Sequence, residues 1–282
     1  MLFSAFCFAM MGAFTYSLKD AFDWRVTGFA RSFINFILII TLARVTGKPV
    51  IFKAPTTLWL RSIVGTLSII CTFYVFSRLP IAEATSLSNL MPIWMALLIG
   101  VTEKKTIPRT IMLSIALSVA GVFLIQDPHF DQTDIAILVG ILQALLASIA
   151  VYNLHRIKNI HPTTIVAHFM GVASVITFVT MIPSLPVLLD GSKYTLPVVL
   201  ALLGIGFTGT AAQLSMTRAY MLGNPAINST VGLAQVVFAT IFDLLFWDRS
   251  FSMRTIFGIA LITIPTTLFV ARIQFRNRTQ SV

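Results

Sequence analysis

Ten apolar stretches, most of them close to 20 residues long, constrain the fold of this chain more than any other feature. A helix needs about 20 largely apolar residues to cross the hydrocarbon core of a bilayer. Stretches of this kind cover residues 1–18, 28–44, 59–77, 82–101, 109–126, 135–154, 163–183, 197–217, 226–246 and 256–272. The segments between them are short and hold most of the charged residues. The pattern predicts an all-α integral membrane protein with ten transmembrane helices.

Charged residues are too scarce for a water-soluble fold. Of the 282 residues, 11% are charged and 57% are hydrophobic, whereas a soluble domain carries roughly 25% charged residues. The mean hydropathy is +0.89. These values exclude a water-soluble enzyme, a disordered chain and a secreted disulfide scaffold. Cys7 and Cys71 lie inside apolar stretches, so we interpret both as buried free thiols. The lipid bilayer is the expected surrounding, and the net charge of +10 does not indicate a nucleic-acid partner.

The distribution of Lys and Arg predicts the orientation of the chain. Cytoplasmic loops carry an excess of these residues. With a cytoplasmic N-terminus, six of them fall on the outer side and thirteen on the inner side, namely Arg44, Lys48, Lys53, Arg61, Lys104, Lys105, Arg109, Arg156, Lys158, Arg218, Arg272, Arg276 and Arg278. Both termini are therefore predicted to be cytoplasmic, in what we expect to be a bacterial inner membrane. No basic region precedes the first apolar stretch, so we interpret it as a retained span.

Ten spans divide into two sets of five, which we expect to form repeats covering residues 1–130 and 131–282. Because five is odd, the second repeat must cross the membrane in the opposite sense to the first. A shift of 145 residues matches residues near the helix ends: Pro80 with Pro225, Thr85 with Thr230, Glu103 with Asp248, and Arg109-Thr110-Ile111 with Arg254-Thr255-Ile256. Inverted repeats provide two related arrangements around one site, which is the geometry of alternating access. Some channels share this architecture.

Motifs around the fourth span of each half resemble a known family. The first half contains Leu79-Pro80-Ile81-Ala82-Glu83-Ala84-Thr85, Asn89-Leu90-Met91-Pro92, Glu103, Arg109 and Gly121-Val122. The second half contains Thr217-Arg218-Ala219-Tyr220, Asn224-Pro225-Ala226, Asp248 and Gly258. Together they resemble the EamA-type pattern of the drug/metabolite transporter superfamily, with three departures: Val237 replaces a proline, Asp248 a glutamate and Thr266 a glycine. The resemblance implies a small-metabolite carrier whose central cavity is lined by the first four helices of each half, with peripheral fifth and tenth helices.

Polar residues within the apolar stretches are the candidate site residues, because polar groups are costly in hydrocarbon. The candidate substrate-binding residues are Arg31, Asn35, Tyr74, Asn89, Pro92, Trp94, Gln143, Gln213, Asn228 and Gln235. Arg31 and Asn35 are one helical turn apart, and an arginine can hold a carboxylate or phosphate through two parallel hydrogen bonds. Alternatively, Arg31 extends to the outer headgroups or pairs with Asp20 or Asp23.

The amides and aromatic residues of this set each have a structural alternative. An amide within the membrane can hydrogen-bond a neighbouring helix, which contributes roughly 0.6–2 kcal/mol, and aromatic residues often pack or lie at the membrane interface. Asn89 and Pro92 are the favoured pair, because a proline within a span frees a backbone carbonyl that an amide or a ligand can contact. Tyr74 and Trp94 can instead stack on a planar substrate.

Few groups are available for energy coupling or catalysis. Asp243 and Glu83 are the candidate coupling residues, since proton coupling uses a carboxylate within the membrane. Asp243 can instead pair with Arg249 or Arg254, in which case transport is facilitated diffusion or exchange. The sequence contains no metal, cofactor or catalytic motif, so we expect no cofactor, no metal and no enzymatic activity.

The sequence thus predicts a secondary transporter that moves a small polar metabolite, such as an amino acid or a nucleoside-like compound, by alternating access. The alternative is a passive channel or a membrane sensor, although a sensor would normally carry a soluble output domain. An intramembrane enzyme is a weaker interpretation, because no catalytic constellation can be assembled. The expected partners are a small-molecule substrate and the bilayer, and the sequence leaves open whether the protein forms a homodimer.

Overall fold

The computed structural model describes residues 1–50, 54–79, 81–104, 107–126, 135–157, 159–247 and 252–279, and within these ranges the protein is all-α with no strand. The first half forms α1 (Leu2–Ser17), α2 (Trp24–Val45), α3 (Thr56–Arg78), α4 (Ile81–Ser88), α5 (Met91–Glu103) and α6 (Arg109–Gln126). The second half forms α7 (Ile135–Tyr152), α8 (Pro162–Met181), α9 (Leu185–Leu189), α10 (Leu196–Leu222), α11 (Pro225–Gly232), α12 (Ala234–Trp247) and α13 (Met253–Thr279).

Seven helical segments of the described residues are long and apolar enough to cross a membrane: Trp24–Val45, Thr56–Val75, Ala84–Glu103, Ile135–Tyr152, Pro162–Leu189, Leu196–Leu222 and Pro225–Phe246. They coincide with the predicted second to fourth and sixth to ninth spans. The predicted first, fifth and tenth spans correspond to the shorter apolar helices Leu2–Ser17, Arg109–Ile125 and Met253–Pro265. The all-helical membrane architecture is therefore confirmed, with seven clear spans.

The predicted fourth and ninth spans are each broken into two helices. In the first half, α4 ends at Ser88 and α5 begins at Met91. Pro92 explains this break, because it lacks an N–H and its ring clashes with the carbonyl four residues earlier. In the second half, α11 ends at Gly232 and its last turn tightens, with the Leu233 N–H bonded to the Thr230 carbonyl at 3.1 Å. Here no proline is present, and glycine is the poor helix former at the break.

Helices from the two halves pack against each other in pairs. α1 packs along α10, α3 along α7, α2 along α8, and α6 along α13. α8 also contacts α3 and α10, and all of its side chains from Thr163 to Met170 are buried. α8 therefore lies in the interior of the bundle, where its polar side chains can contribute to a site.

The crossing of α6 and α13 depends on two glycines. A Cβ atom added to Gly121 would lie 2.6 Å from the Gly258 carbonyl oxygen, and one added to Gly258 would lie 2.6 Å from the Gly121 carbonyl oxygen. A residue with a side chain would therefore force the two backbones apart. Gly121 and Gly258 are the glycines singled out by the family resemblance, and they bring the predicted fifth and tenth spans into close contact.

One charged residue lies deeper than the sequence predicts. The predicted third span begins at residue 59, and Arg61 is counted among the cytoplasmic-side charges. The structure corrects this placement, because α3 begins at Thr56 and Arg61 is only 2% exposed. Its guanidinium stacks on the ring of Phe169, with Cζ 4.0 Å from the ring centroid. The long apolar stem of arginine allows this burial.

Candidate substrate site

Asn35 lies where α1, α2 and α10 meet. It is 1% exposed, and its Oδ1 is 3.5 Å from the Thr210 hydroxyl, which donates to it across the α2–α10 contact. A Cβ atom on Gly209 would lie 2.8 Å from Asn35 Nδ2 and 3.1 Å from Met11 Sδ. The absence of a side chain at Gly209 therefore lets α10 approach the amide closely. The predicted site residue Asn35 is thus buried between the two halves.

Gln143 lies at the contact between α3 and α7. The Ser68 hydroxyl donates a hydrogen bond of 3.1 Å to the Gln143 backbone carbonyl. The Gln143 side chain is 7% exposed, and its Oε1 has no hydrogen-bond partner within the described part of the chain. Buried polar atoms without a partner are rare. This oxygen is therefore available to a ligand or to water.

The break between α4 and α5 is held by small residues of α7. The Ser148 hydroxyl donates a hydrogen bond of 2.9 Å to the Met91 carbonyl. Gly140 accommodates Leu87, since a Cβ atom there would lie 2.6 Å from Leu87 Cδ1. The Asn89 amide donates to the Thr85 carbonyl of its own helix at 2.8 Å, and Pro92 is buried. The favoured pair, Asn89 and Pro92, thus lies at the break itself, with the Asn89 side chain half-buried.

Arg31 and Gln213 continue the polar interior from Asn35. Arg31 is half-buried, one turn from Asn35 on α2, and makes no hydrogen bond or ion pair with the residues that the structure describes. The alternative partner Asp23 instead accepts a hydrogen bond of 2.8 Å from the Ser184 hydroxyl. Gln213 is 4% exposed and lies one turn beyond Gly209 on α10.

Asn228 has a backbone partner at the end of α10. Its Nδ2 donates a hydrogen bond of 2.6 Å to the Ala219 carbonyl. A Cβ atom on Gly223 would lie 2.7 Å from this nitrogen, so the glycine gives the amide its space. The neighbouring Asn224 caps α11 by accepting from the Ala226 and Ile227 N–H groups. The Asn228 side chain therefore joins α11 to the end of α10 and lies away from the helix break.

The other predicted residues are more dispersed. Tyr74 on α3 and Trp94 on α5 are half-buried, and the Arg78 guanidinium lies 5.8 Å from the Tyr74 ring centroid. Gln235 is exposed on α12, and Asp243 is half-buried near the other end of that helix. Glu83 belongs to α4, and its side chain lies outside the part of the chain that the structure describes.

A polar contact between α3 and α8 was not predicted as a site. The Ser62 hydroxyl lies 2.8 Å from His168 Nδ1, and both residues are buried. The Trp59 ring meets the His168 ring edge-on, with centroids 4.6 Å apart. A serine–histidine pair resembles an activated nucleophile, but catalysis needs a third group that orients the base. His168 Nε2 has no such partner among the described residues, so this pair does not support hydrolase chemistry.

Among the titratable groups outside the spans, His161 and Asp190 have lowered pKa values. Burial, together with the nearby charges of Lys48 and Arg218, lowers the pKa of His161, whose Nδ1 caps α8 by accepting from the Thr163 N–H at 3.3 Å. Hydrogen bonds from the Ser192 side chain and backbone lower the pKa of Asp190. Both groups stabilise local turns and lie apart from the polar interior.

The profile of the EamA-like transporter family matches residues 1–126 and 134–271. The chain belongs to the EamA-like transporter family. An uncharacterized transporter of Helicobacter pylori is 27% identical over 270 residues, which cover 93% of this chain and 90% of that protein. The pseudopaline exporter CntI of Pseudomonas aeruginosa is 26% identical over 278 residues, which cover 94% of this chain and 95% of the exporter. A solved crystal structure at 17% identity shares the fold, with a TM-score of 0.79 and coverage of 96% of each chain.

Membership of the EamA-like transporter family confirms the resemblance found in the sequence. The protein is a membrane transporter of the drug/metabolite transporter superfamily, and its relatives are named as transporters rather than enzymes. The structure places Asn35 at the α2–α10 contact, Gln213 one turn further along α10, and Gln143 at the α3–α7 contact. Sequence reasoning missed Arg61 and His168. The signal that could have found Arg61 is its position only five residues into a helix that begins after Pro55.

Proposed function

We propose that this EamA-like transporter is a secondary transporter that moves a small polar metabolite across the bacterial cytoplasmic membrane by alternating access. The observation that carries the proposal is the pair of broken helices. Under the 145-residue shift, Asn89 at the first break aligns with Ala234, which directly follows the second break. Discontinuous helices at corresponding positions of two halves are the feature that most often marks a transporter's binding site.

The packing of the helices supports two inverted repeats, residues 1–130 and 131–282. Exchanging each helix for its counterpart turns the α3–α7 contact into the α10–α1 contact, and both are present. The same exchange leaves the α2–α8 and α6–α13 contacts unchanged, as expected for elements on a two-fold axis. Repeats related in this way can exchange conformations and open the site to one side at a time. Ten spans place both termini on the same side of the membrane, and we assign that side to the cytoplasm from the excess of Lys and Arg there.

Buried amides support a polar substrate. Asn35, Gln143 and Gln213 come from three different helices and are at most 7% exposed. Polar side chains inside a membrane protein are retained where they contact a substrate, an ion or one another. We therefore propose an amino acid, a nucleoside-like compound or a related metabolite as substrate. The similarity to a protein named as a pseudopaline exporter supports a transport function. Movement is facilitated diffusion or exchange, or is coupled through Asp243 or Glu83.

A ligand screen followed by uptake measurements tests the proposal. A ligand that binds only the native state raises the thermal midpoint by mass action, so purified protein is screened against amino acids, nucleotides, sugars and organic acids. Compounds that raise the midpoint are then offered to proteoliposomes. We expect saturable uptake of at least one of them. Uptake of none of a broad panel, by protein that is folded and inserted, would contradict the proposed function.

A further inference from the structure

Four buried polar atoms without partners among the described residues lie on α3, α8 and α10, and α8 packs against both of the other helices. They are Arg61 Nε on α3, His168 Nε2 on α8, and Thr217 Oγ1 and the Tyr220 hydroxyl on α10. The four residues are 2%, 7%, 0% and 0% exposed, respectively. We call them the inner polar set. They supply four of the seven buried side-chain atoms that lack a partner among the described residues. Each such atom costs its desolvation free energy unless a ligand or water satisfies it.

Two apolar clusters show where the inner polar set lies along the helices. Leu58 and Ile165 belong to the same buried cluster as Tyr220, so α3, α8 and α10 come together there. Phe169 of α8 and Leu214 of α10 share a second cluster. Thr217 lies three residues from both Leu214 and Tyr220, on the same face of α10. The inner polar set therefore lies beside these two clusters, and Arg61 is about 8 Å along α3 from its first residue at the spacing of an α-helix.

The inner polar set carries a positive charge without a carboxylate partner. The guanidinium of Arg61 stays protonated, and none of the described residues forms a hydrogen bond or ion pair with it. It lies between Phe169 and Gly65, whose missing side chain leaves room for the guanidinium. A buried charge without a counter-charge is strongly destabilising. Burial of the Arg61 guanidinium therefore costs free energy that no ion pair with a described residue offsets.

The remaining members can also donate hydrogen bonds. When the Ser62 hydroxyl donates to His168 Nδ1, the neutral imidazole carries its hydrogen on Nε2, so this unpartnered atom is a donor. Thr217 and Tyr220 contribute hydroxyl groups, which can also donate. Arginine donates through two parallel N–H groups to a carboxylate or a phosphate. All four members are therefore potential hydrogen-bond donors, and the acceptor that such a set favours most is an anion.

We propose that the inner polar set binds the anionic group of the transported solute, a carboxylate or a phosphate. This rests on the proposed function and narrows it, because the cargo becomes an organic anion. Arg61 holds the anion through its guanidinium. Thr217, Tyr220 and His168 complete the donor set, and Phe169 fixes the plane of the guanidinium by stacking. Binding of the anion neutralises the buried charge.

Trp59 provides a reporter for a binding experiment. Its ring contacts His168, and the Trp59→Phe variant, which keeps Trp24, Trp94 and Trp247, identifies the part of the fluorescence signal that comes from Trp59. The unchanged protein and this variant are titrated with citrate, glutamate and inorganic phosphate, and with putrescine as a cation, at constant ionic strength. We expect a saturable change in Trp59 fluorescence with at least one anion and none with putrescine. No saturable change with any of the three anions would overturn the inference.

Variants separate binding from folding. Arg61→Gln should weaken anion binding by about tenfold or more, as loss of a charge-assisted pair predicts, whereas Arg44→Gln removes an exposed arginine and should leave it unchanged. Thr217→Val and Tyr220→Phe each remove only an unpartnered hydroxyl. They should keep or raise the thermal midpoint while lowering the anion affinity several-fold. Full anion affinity in both hydroxyl variants would contradict the inference even if Arg61→Gln fails to fold.

The binding readout also separates this inference from the proposed function. If the protein takes up a neutral or cationic solute saturably but binds none of the anions, the anion site is wrong and the transporter proposal stands. If anions bind through Arg61 but no solute is taken up saturably, the site is correct and the transporter proposal fails.

Discussion

The close crossing of α6 and α13 gives a quantitative prediction for Gly121→Ala. The added Cβ would lie 2.6 Å from the Gly258 carbonyl oxygen and 2.9 Å from Leu261 Cβ, neither of which can rotate away. Restoring an ordinary contact of 3.4 Å requires the helices to separate locally by about 0.8 Å, and overpacking of this kind costs about 1–3 kcal/mol. Gly12→Ala is the matched control, because nothing lies within 4 Å of its Cβ and alanine favours a helix by up to about 1 kcal/mol.

Thermal unfolding of the purified protein in detergent measures the difference. Gly121→Ala should be about 2 kcal/mol less stable than Gly12→Ala, which corresponds to roughly 4–8 °C at about 2–4 °C per kcal/mol. Gly258→Ala should behave like Gly121→Ala, and the double variant should lose less than the sum, since both changes relieve one shared contact. If Gly121→Ala unfolds at the same temperature as Gly12→Ala, the backbone contact between α6 and α13 does not exist as described.

Three further predictions concern transport and pH. Arg31→Lys should impair transport of an anionic substrate, since lysine lacks the planar fork; equal kinetics in both proteins would leave Arg31 with an anchoring role at the headgroups. If coupling uses a carboxylate, pH-driven uphill transport should be lost in Asp243→Asn or in Glu83→Gln, and retention of it in both variants would refute carboxylate coupling. The lowered pKa of His161 favours its neutral, capping form in the folded state, so its stabilisation is full above pH 6.5, the ordinary pKa, and falls as the pH decreases below it. His161→Asn should flatten the acid side of the thermal midpoint against pH, and an unchanged profile would argue against the cap.

The helical architecture could be predicted because a bilayer imposes one length on every span. The break at Pro92 could also be predicted, because proline acts through its own geometry. The break before Ala234 could not, since Val237 stands where the family has proline and the interruption depends on Gly232 and on packing with α5 and α13. A proline in the local sequence accounts for the first break, whereas the second combines a glycine with tertiary contacts.

The interior of the site was harder to predict than its helices. Asn35 and Gln143 are buried as expected for polar residues in spans, whereas Asn228, which has the same side-chain chemistry as Asn35, bonds a helix end instead. Whether an amide faces a ligand or a carbonyl depends on its neighbours in space. Arg61 was missed for a related reason: hydropathy places an arginine at a helix end, while stacking on Phe169 holds it inside.

Counterflow in proteoliposomes tests the central claim most directly. Liposomes are loaded with an unlabelled compound that binds the purified protein, and entry of the same labelled compound is measured with and without this load. Alternating access predicts saturable entry that is accelerated by the internal load, because the loaded carrier returns with its site occupied. Entry that rises linearly with concentration and is unaffected by the load would show a channel and contradict the account.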